Sequence, residues 1–251
     1  MLENQSFAAR QKVISHRTGG IIAPENSLAG IKHARNLGFQ NIHFDVRLTA
    51  DGVPILLNQE LLDPLTGTSS GLVSEIFFDQ INGLDIGSDY GNEYIGEKLP
   101  TLYQALSTCV EHEMWPVIEL KPSLNQEGAI AEISIDILRT VTQEKKIFPL
   151  IASQSALTLT TLMEISPDTF RGLIWNDELP QEASNHENLM CHCVFIPQQL
   201  ITQELVNTLH QKKHSVIATN VNDSLEAITV VEHNVDALVT AQIDAIGPYF
   251  F

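Results

Sequence analysis

Three short clusters in the first half of the chain carry the residue types that phosphate chemistry uses. The first is Ser15-His16-Arg17, which ends an apolar run and is followed by a Gly19-Gly20 pair and by Pro24-Glu25-Asn26. Histidine accepts a proton near neutral pH, and arginine presents a fork of N–H donors that matches a phosphate group. The second is Ile42-His43-Phe44-Asp45-Val46. If this run is a strand, its two-residue period puts His43 and Asp45 on one face and the apolar residues on the other. The third, Val117-Ile118-Glu119-Leu120-Lys121, repeats the pattern with Glu119 and Lys121 sharing a face. Polar side chains on the inner face of a barrel strand need partners, and a metal ion or a closed hydrogen-bond network supplies them. A satisfied His43–Asp45 pair and a plain Glu119–Lys121 pair are the simpler alternatives at this point.

These clusters must be held by a larger frame. The chain has 251 residues, 43% hydrophobic and 18% charged, which suits one globular domain over 1–251. Short apolar runs alternate with amphipathic stretches along its length. Strands are expected at Val13–His16, Ile42–Val46, Pro54–Asn58, Pro116–Lys121, Phe148–Ala152, Gly172–Trp175, Cys191–Ile196, Ser215–Thr219 and Ala237–Thr240. Helices are expected at Ser27–Leu37, Ala129–Thr142, Ala156–Ile165, Thr202–Lys212 and Ser224–Glu232, the first capped by Asn26 or Ser27. Alternating β and α segments call for a parallel sheet with helices outside. The segment 47–53 is too short for a parallel crossover, and its Asp51-Gly52 pair signals a tight turn, so the second and third strands should form an antiparallel hairpin. Setting one hairpin strand aside leaves the eight strands of a (β/α)8 barrel of the TIM type. The stretch Glu60–Pro100 reads as a small insertion or cap at one end, with a brief helical pattern near Val73–Leu84.

The order and spacing of the clusters resemble the glycerophosphodiester phosphodiesterase family. Its H-R, P-E-N, E-x-D-V-x-x-T-x-D-G, H-D and I-E-x-K motifs are matched by His16-Arg17, Pro24-Glu25-Asn26, His43-Phe44-Asp45-Val46, Thr49-Ala50-Asp51-Gly52, Asn58-Gln59 and Ile118-Glu119-Leu120-Lys121. Leu99-Pro100-Thr101-Leu102 matches a further motif after the insertion. The likeness is specific from about Val13 to Pro122 and thinner beyond, where Thr219–Asn222 and Asn234–Ala241 match later motifs without their tryptophan and final aspartate. The resemblance implies hydrolysis of a glycerophosphodiester to glycerol phosphate and an alcohol. It also implies a divalent cation (Mg²⁺ or Ca²⁺ in the family) at His43, Asp45 and Glu119. His16 matches one of the family's two acid–base histidines, and Arg17 and Lys121 match its phosphate-binding cations.

Two matched positions depart from the family. A carboxylate has become His43, and the second acid–base histidine has become Asn58. Nitrogen in place of anionic oxygen disfavours Mg²⁺ and Ca²⁺ and suits Mn²⁺, Zn²⁺ or Fe²⁺. Alternatively no metal binds, and a protonated His43 takes its place beside the two carboxylates. Asn58 can donate a hydrogen bond but cannot surrender a proton, a loss of about 10²–10⁴-fold unless His43 acts as the acid. The expectation is therefore a weakened or altered phosphodiesterase. The alternatives are a non-catalytic relative that binds a phosphorylated ligand, or a barrel hydrolase for another phosphoester.

The formal net charge of −17 argues against nucleic acid and anionic membranes as partners, and it makes Arg17 and Lys121 necessary for any anionic substrate. The expected partner is a small phosphodiester. No apolar run suggests a signal peptide or membrane insertion, and three cysteines give no disulfide framework, so a cytoplasmic protein is expected. Oligomeric state has no signature. Cys191 and Cys193 are expected to share a strand face opposite His192 and to pack in the core. His33, His112, His210 and His214 are read as surface residues, and Trp175 and Asn176 as able to reach the barrel mouth.

Overall fold

A computed structural model describes residues 11–62, 71–143, 147, 149–175 and 189–251. Among the described residues nine strands form one sheet: β1 (Val13–Ser15), β2 (Asn41–Leu48), β3 (Pro54–Leu56), β4 (Trp115–Leu120), β5 (Leu150–Ser153), β6 (Phe170–Ile174), β7 (Cys193–Pro197), β8 (Ser215–Thr219) and β9 (Ala237–Thr240). Eight of them pair in parallel and close on themselves, with β1 bonded to both β9 and β2. The ninth, β3, pairs antiparallel with β2 through Val46↔Leu56 and stands outside the ring. The barrel and its hairpin are those expected from the sequence.

Among the described residues six α-helices surround the barrel: α1 (Leu28–Asn36), α2 (Leu102–Glu111), α3 (Glu127–Thr142), α4 (Ala156–Ile165), α5 (Gln203–Gln211) and α6 (Ser224–Glu232). Side-chain caps fix where several begin. Ser27, not Asn26, caps α1 by accepting from Gly30 N; Asn26 instead has φ +53°, a conformation that serves the site. Thr101 and Gln104 form a reciprocal capping box on α2, which the apolar pattern alone had not marked.

The strands sort their side chains into two apolar layers. Ile42, Phe44, Val46, Ile118 and Leu120 face the helices, in a core shared with residues such as Ile31, Leu106 and Ile130. Ile14, Val117, Leu150, Phe195, Ile217 and Val239 fill the barrel interior. This alternation sends His43, Asp45 and Glu119 inward, where they are buried above that plug.

The cap has a third cluster of its own: Ile55, Leu57, Leu62, Val73, Ile81 and Leu99. Its helical pattern is realised as single 3₁₀ turns at Val73–Glu75 and Phe78–Gln80, not as an α-helix. Val73, the following Ile76 and Leu84 all reach one small core, a spacing that suits a chain of tight turns as well as a continuous helix. Phe78 packs on this cluster and Phe77 is exposed.

Two minor expectations need correction. Cys193 belongs to the barrel interior and Cys191 to the outer core, because β7 begins at Cys193 and alternation does not extend back. Both are buried and free, as core packing requires. His214 is buried, with Nδ1 bonded to the Cys191 carbonyl at 2.9 Å. Asn176 lies outside the described residues. No helix among the described residues is long and apolar enough to cross a membrane.

Candidate active site

The site gathers at the C-terminal ends of β1, β2 and β4, the end of an α/β barrel where loops build chemistry. His16 and Arg17 follow β1, His43 and Asp45 lie within β2, Glu119 within β4, and Lys121 just after it. Parallel register pairs Asp45 with Glu119 and His43 with Val117, so the two carboxylates stand side by side on neighbouring strands. One atom from each of His43, Asp45 and Glu119 falls within a 4.8 Å cluster, and all three residues are buried.

The β1–α1 loop is bent to reach this cluster. Arg17, Thr18 and Asn26 all have positive φ (47°, 71° and 53°), which is costly for residues with a side chain. Gly20 also has positive φ, and a Cβ there would collide with the Ala241 carbonyl oxygen. Contacts with β2 hold the bend. Thr18 N donates to His43 O at 2.7 Å, while Asn26 accepts from Asp45 N and donates through Nδ2 to Asp45 Oδ2, both at 3.0 Å.

Cations converge on the carboxylates. Lys121 Nζ lies 3.6 Å from Asp45 Oδ1 and 3.5 Å from Glu119 Oε1, and it donates to Asn58 Oδ1 at 2.7 Å. Arg17 reaches Glu25 at 2.9 Å through one terminal nitrogen. Its Nε is 3.3 Å from Asp45 Oδ2 but poorly aligned, leaving a buried donor without a hydrogen bond. His43 Nε2 meets Glu119 Oε2 at 3.2 Å, and its buried Nδ1 has no partner. The His16 and His43 rings lie 5.2 Å apart.

Burial and these charges set the protonation states. Burial alone would raise the Asp45 carboxyl, but His43, Lys121 and Arg17, with the Asn26 hydrogen bond, take it down to about 2. His16 is pulled down to about 3, first by desolvation and then by the positive charges of His43 and Arg17. It is therefore a neutral base across the ordinary pH range. Unfolded, this histidine binds a proton below about 6.5, whereas the folded chain refuses it until about 3. Stability from this group is complete above 6.5 and is lost as pH falls toward 3, with Asp45 adding a loss from 3.8 down to about 2. Thermal unfolding across that range should show the midpoint dropping more steeply in the parent than in His16→Gln. Parallel curves would rule out a His16 held neutral in the folded chain.

A cavity of about 280 Å³ opens over the cluster. His16, Arg17, His43, Asp45, Glu119 and Lys121 line it, so those sequence-predicted residues meet in one place. Asn58 joins through Lys121, and its backbone carbonyl accepts from Arg47 Nε at 2.9 Å. His43 turns to Glu119 and His16, and Asn58 turns to Lys121. Sequence reasoning missed the bracing by Asn26 and the lining residues Gln154, Phe195 and Asn220. Gln154 and Asn220 each directly follow a barrel strand, a signal that could have found them.

Known proteins are similar to this chain in sequence and in fold. The sequence profile of the Glycerophosphoryl diester phosphodiesterase family matches residues 16–245. The glycerophosphodiester phosphodiesterase of Caldanaerobacter subterraneus subsp. tengcongensis is 29% identical over 163 residues, which are 65% of this chain and 66% of that protein. Mouse glycerophosphodiester phosphodiesterase 1 is 33% identical over 122 residues, 48% of this chain but 37% of its own length. The matched part thus spans under two thirds of each of these two relatives. A phosphodiesterase from Oleispira antarctica, solved in complex with the product sn-glycerol-3-phosphate, superimposes with a TM-score of 0.88 at 26% identity, covering 94% of this chain and 95% of that one. With a profile match that begins at His16 and runs through nearly the whole barrel, the chain belongs to the glycerophosphoryl diester phosphodiesterase family.

Proposed function

We propose that this chain hydrolyses a small glycerophosphodiester to glycerol phosphate and an alcohol, with catalysis weakened toward poor leaving groups. The observation that carries this reading is the single cavity in which a neutral histidine, two phosphate-seeking cations and a buried His43–Asp45–Glu119 cluster face one another. The product bound to the Oleispira relative supports glycerol phosphate as one half of the substrate.

In this reading Arg17 and Lys121, which both line the cavity, bind the phosphoryl oxygens. His16 accepts a proton of the attacking water, a role its neutrality permits, and the departing alkoxide takes its proton from solvent. His43, Asp45 and Glu119 fit a divalent cation by donor type, one imidazole nitrogen and two carboxylates. When bound, such an ion would neutralise phosphoryl charge, and the mixed nitrogen–oxygen set favours Mn²⁺ or Zn²⁺ over Ca²⁺ or Mg²⁺. Asn58 can only donate a hydrogen bond to the departing oxygen. The three buried, unpaired cysteines support a reducing, cytoplasmic setting.

The test is release of glycerol phosphate, followed by phosphorus NMR, with Mn²⁺, Zn²⁺, Mg²⁺ or Ca²⁺ added. A nitrophenyl phosphodiester should turn over fastest, and Mn²⁺ or Zn²⁺ should raise both its rate and the unfolding midpoint more than Ca²⁺ does. No product from any diester with any ion would overturn the hydrolase. Glycerol phosphate binding without turnover would instead favour a non-catalytic relative, the reading to which the Lys121–Asn58 contact points, since it occupies the amide oxygen where the family's second histidine belongs.

A further inference from the structure

Strand β2 runs past its neighbour. Its last pairing with β4 is Val46 with Leu120, and the next residue, Arg47, shares by alternation the face of His43 and Asp45. Arg47 is 8% exposed and is not among the described residues that line the reactive cavity. It lines a neighbouring cavity of about 380 Å³, whose wall has Glu119, Lys121 and Gln154 in common with the first. Arg47 thus reaches Lys121 from outside the reactive cavity.

Its guanidinium joins two residues that lie past the ends of their strands. Nε donates to the Asn58 carbonyl at 2.9 Å, and a terminal nitrogen donates to the Lys121 carbonyl at 3.2 Å. Asn58 and Lys121 meet again through their side chains, Lys121 Nζ donating to Asn58 Oδ1 at 2.7 Å. A closed ring results, with one planar fork binding both carbonyls and the ammonium touching the amide on the other side. Two carboxylates pull on the same ammonium, yet it stands 3.5 Å from Glu119 and 3.6 Å from Asp45, longer than an ordinary hydrogen bond. Its donors are therefore not spent on those carboxylates. A guanidinium presents its donors in a fixed plane, whereas a lysine ammonium is one point charge on a flexible stem.

Resting on the reading of Lys121 as a phosphate-binding cation, we infer that Arg47 is a positioning residue for the reaction. By fixing the Lys121 and Asn58 carbonyls, it keeps the ammonium off the carboxylates and aimed at a phosphoryl oxygen. It acts through Lys121 and not on the substrate. Arg47→Lys keeps the charge and loses the fork.

A double-mutant cycle on binding tests this, with titration calorimetry on the full chain and sn-glycerol 3-phosphate as the probe. Lys121→Gln should weaken binding by about tenfold or more, the size of a hydrogen bond with a charged donor. Arg47→Lys should weaken it by about threefold or more, as for residues coupled in one hydrogen-bond network. The double variant should bind as Lys121→Gln does, because the fork then has no ammonium to aim. Urea unfolding gives the control: the stability lost on Arg47→Lys should be the same in both backgrounds. A purely structural Arg47 would weaken binding by one factor in both. Losses that multiply in the double variant, or an Arg47→Lys chain that binds as the parent does, would overturn the assignment. Should Arg47→Lys not fold, Arg47→Gln carries the same cycle, its amide keeping one donor for the Asn58 carbonyl. No binding by the parent, or none lost on Lys121→Gln, removes the phosphate role of Lys121 and the positioning role with it. If the cycle comes out as expected but no diester releases glycerol phosphate, the hydrolase reading alone fails.

Discussion

Replacing Asn58 by histidine should raise turnover of glycerophosphodiesters by about 10²-fold or more, the range a positioned general acid supplies. The gain should depend on the leaving group. An alkoxide needs a proton as it departs, whereas a nitrophenolate leaves unaided, so the nitrophenyl diester should gain little. The position is prepared for such a change: Asn58 already touches the Lys121 ammonium at 2.7 Å and follows a strand anchored to β2. Combining Asn58→His with His43→Glu returns both departures to the family pattern and should shift the preferred ion toward Mg²⁺ or Ca²⁺. Rates measured on both ester types decide the matter. An Asn58→His protein that accelerates both equally, or neither, contradicts the proposal that a missing acid weakens catalysis.

The second large effect is on stability. Asp45→Ala should lower the unfolding free energy by about 3–5 kcal/mol, as for other buried ion pairs that lose one member. The Asp45 side chain is 2% exposed and faces Arg17 Nε, Lys121 Nζ and Asn26 Nδ2. Without it, two half-buried positive charges and an amide lose their counterpart, and the bent β1–α1 loop loses one of its anchors on β2. Urea unfolding would read the change, and phosphodiester turnover should disappear with it. A variant within 1 kcal/mol of the parent (about a fivefold change in the folding constant) would show that solvent or the remaining Glu119 satisfies those cations.

The barrel and much of its site were legible in the sequence for a common reason. A strand between a helix layer and a barrel interior has two unlike faces, so His43 and Asp45 among Ile42, Phe44 and Val46 announce which way they point. The same reasoning placed Glu119, and strand register then brought it beside Asp45. What escaped depends on the meeting of loops distant in sequence. Asn26 looks like a helix cap until its positive φ and its two bonds to Asp45 are seen. The link from Lys121 to Asn58 spans two turns whose geometry no local pattern encodes. The cap misled for a related reason, since its apolar spacing serves several tight turns around one small cluster.

The insertion leaves and rejoins the barrel at nearly one point. Leu56 N donates to Pro100 O at 2.9 Å, and Ile55 bridges Thr101, so the segment between is a closed excursion hung from a strand outside the ring. Its apolar residues consolidate chiefly with one another and with Ile55 and Leu57. Such an attachment behaves like a socket. Ring closure among the eight parallel strands makes no demand on what is plugged in, so this piece can be lengthened, shortened or replaced without disturbing the strands that carry His43, Asp45 and Glu119.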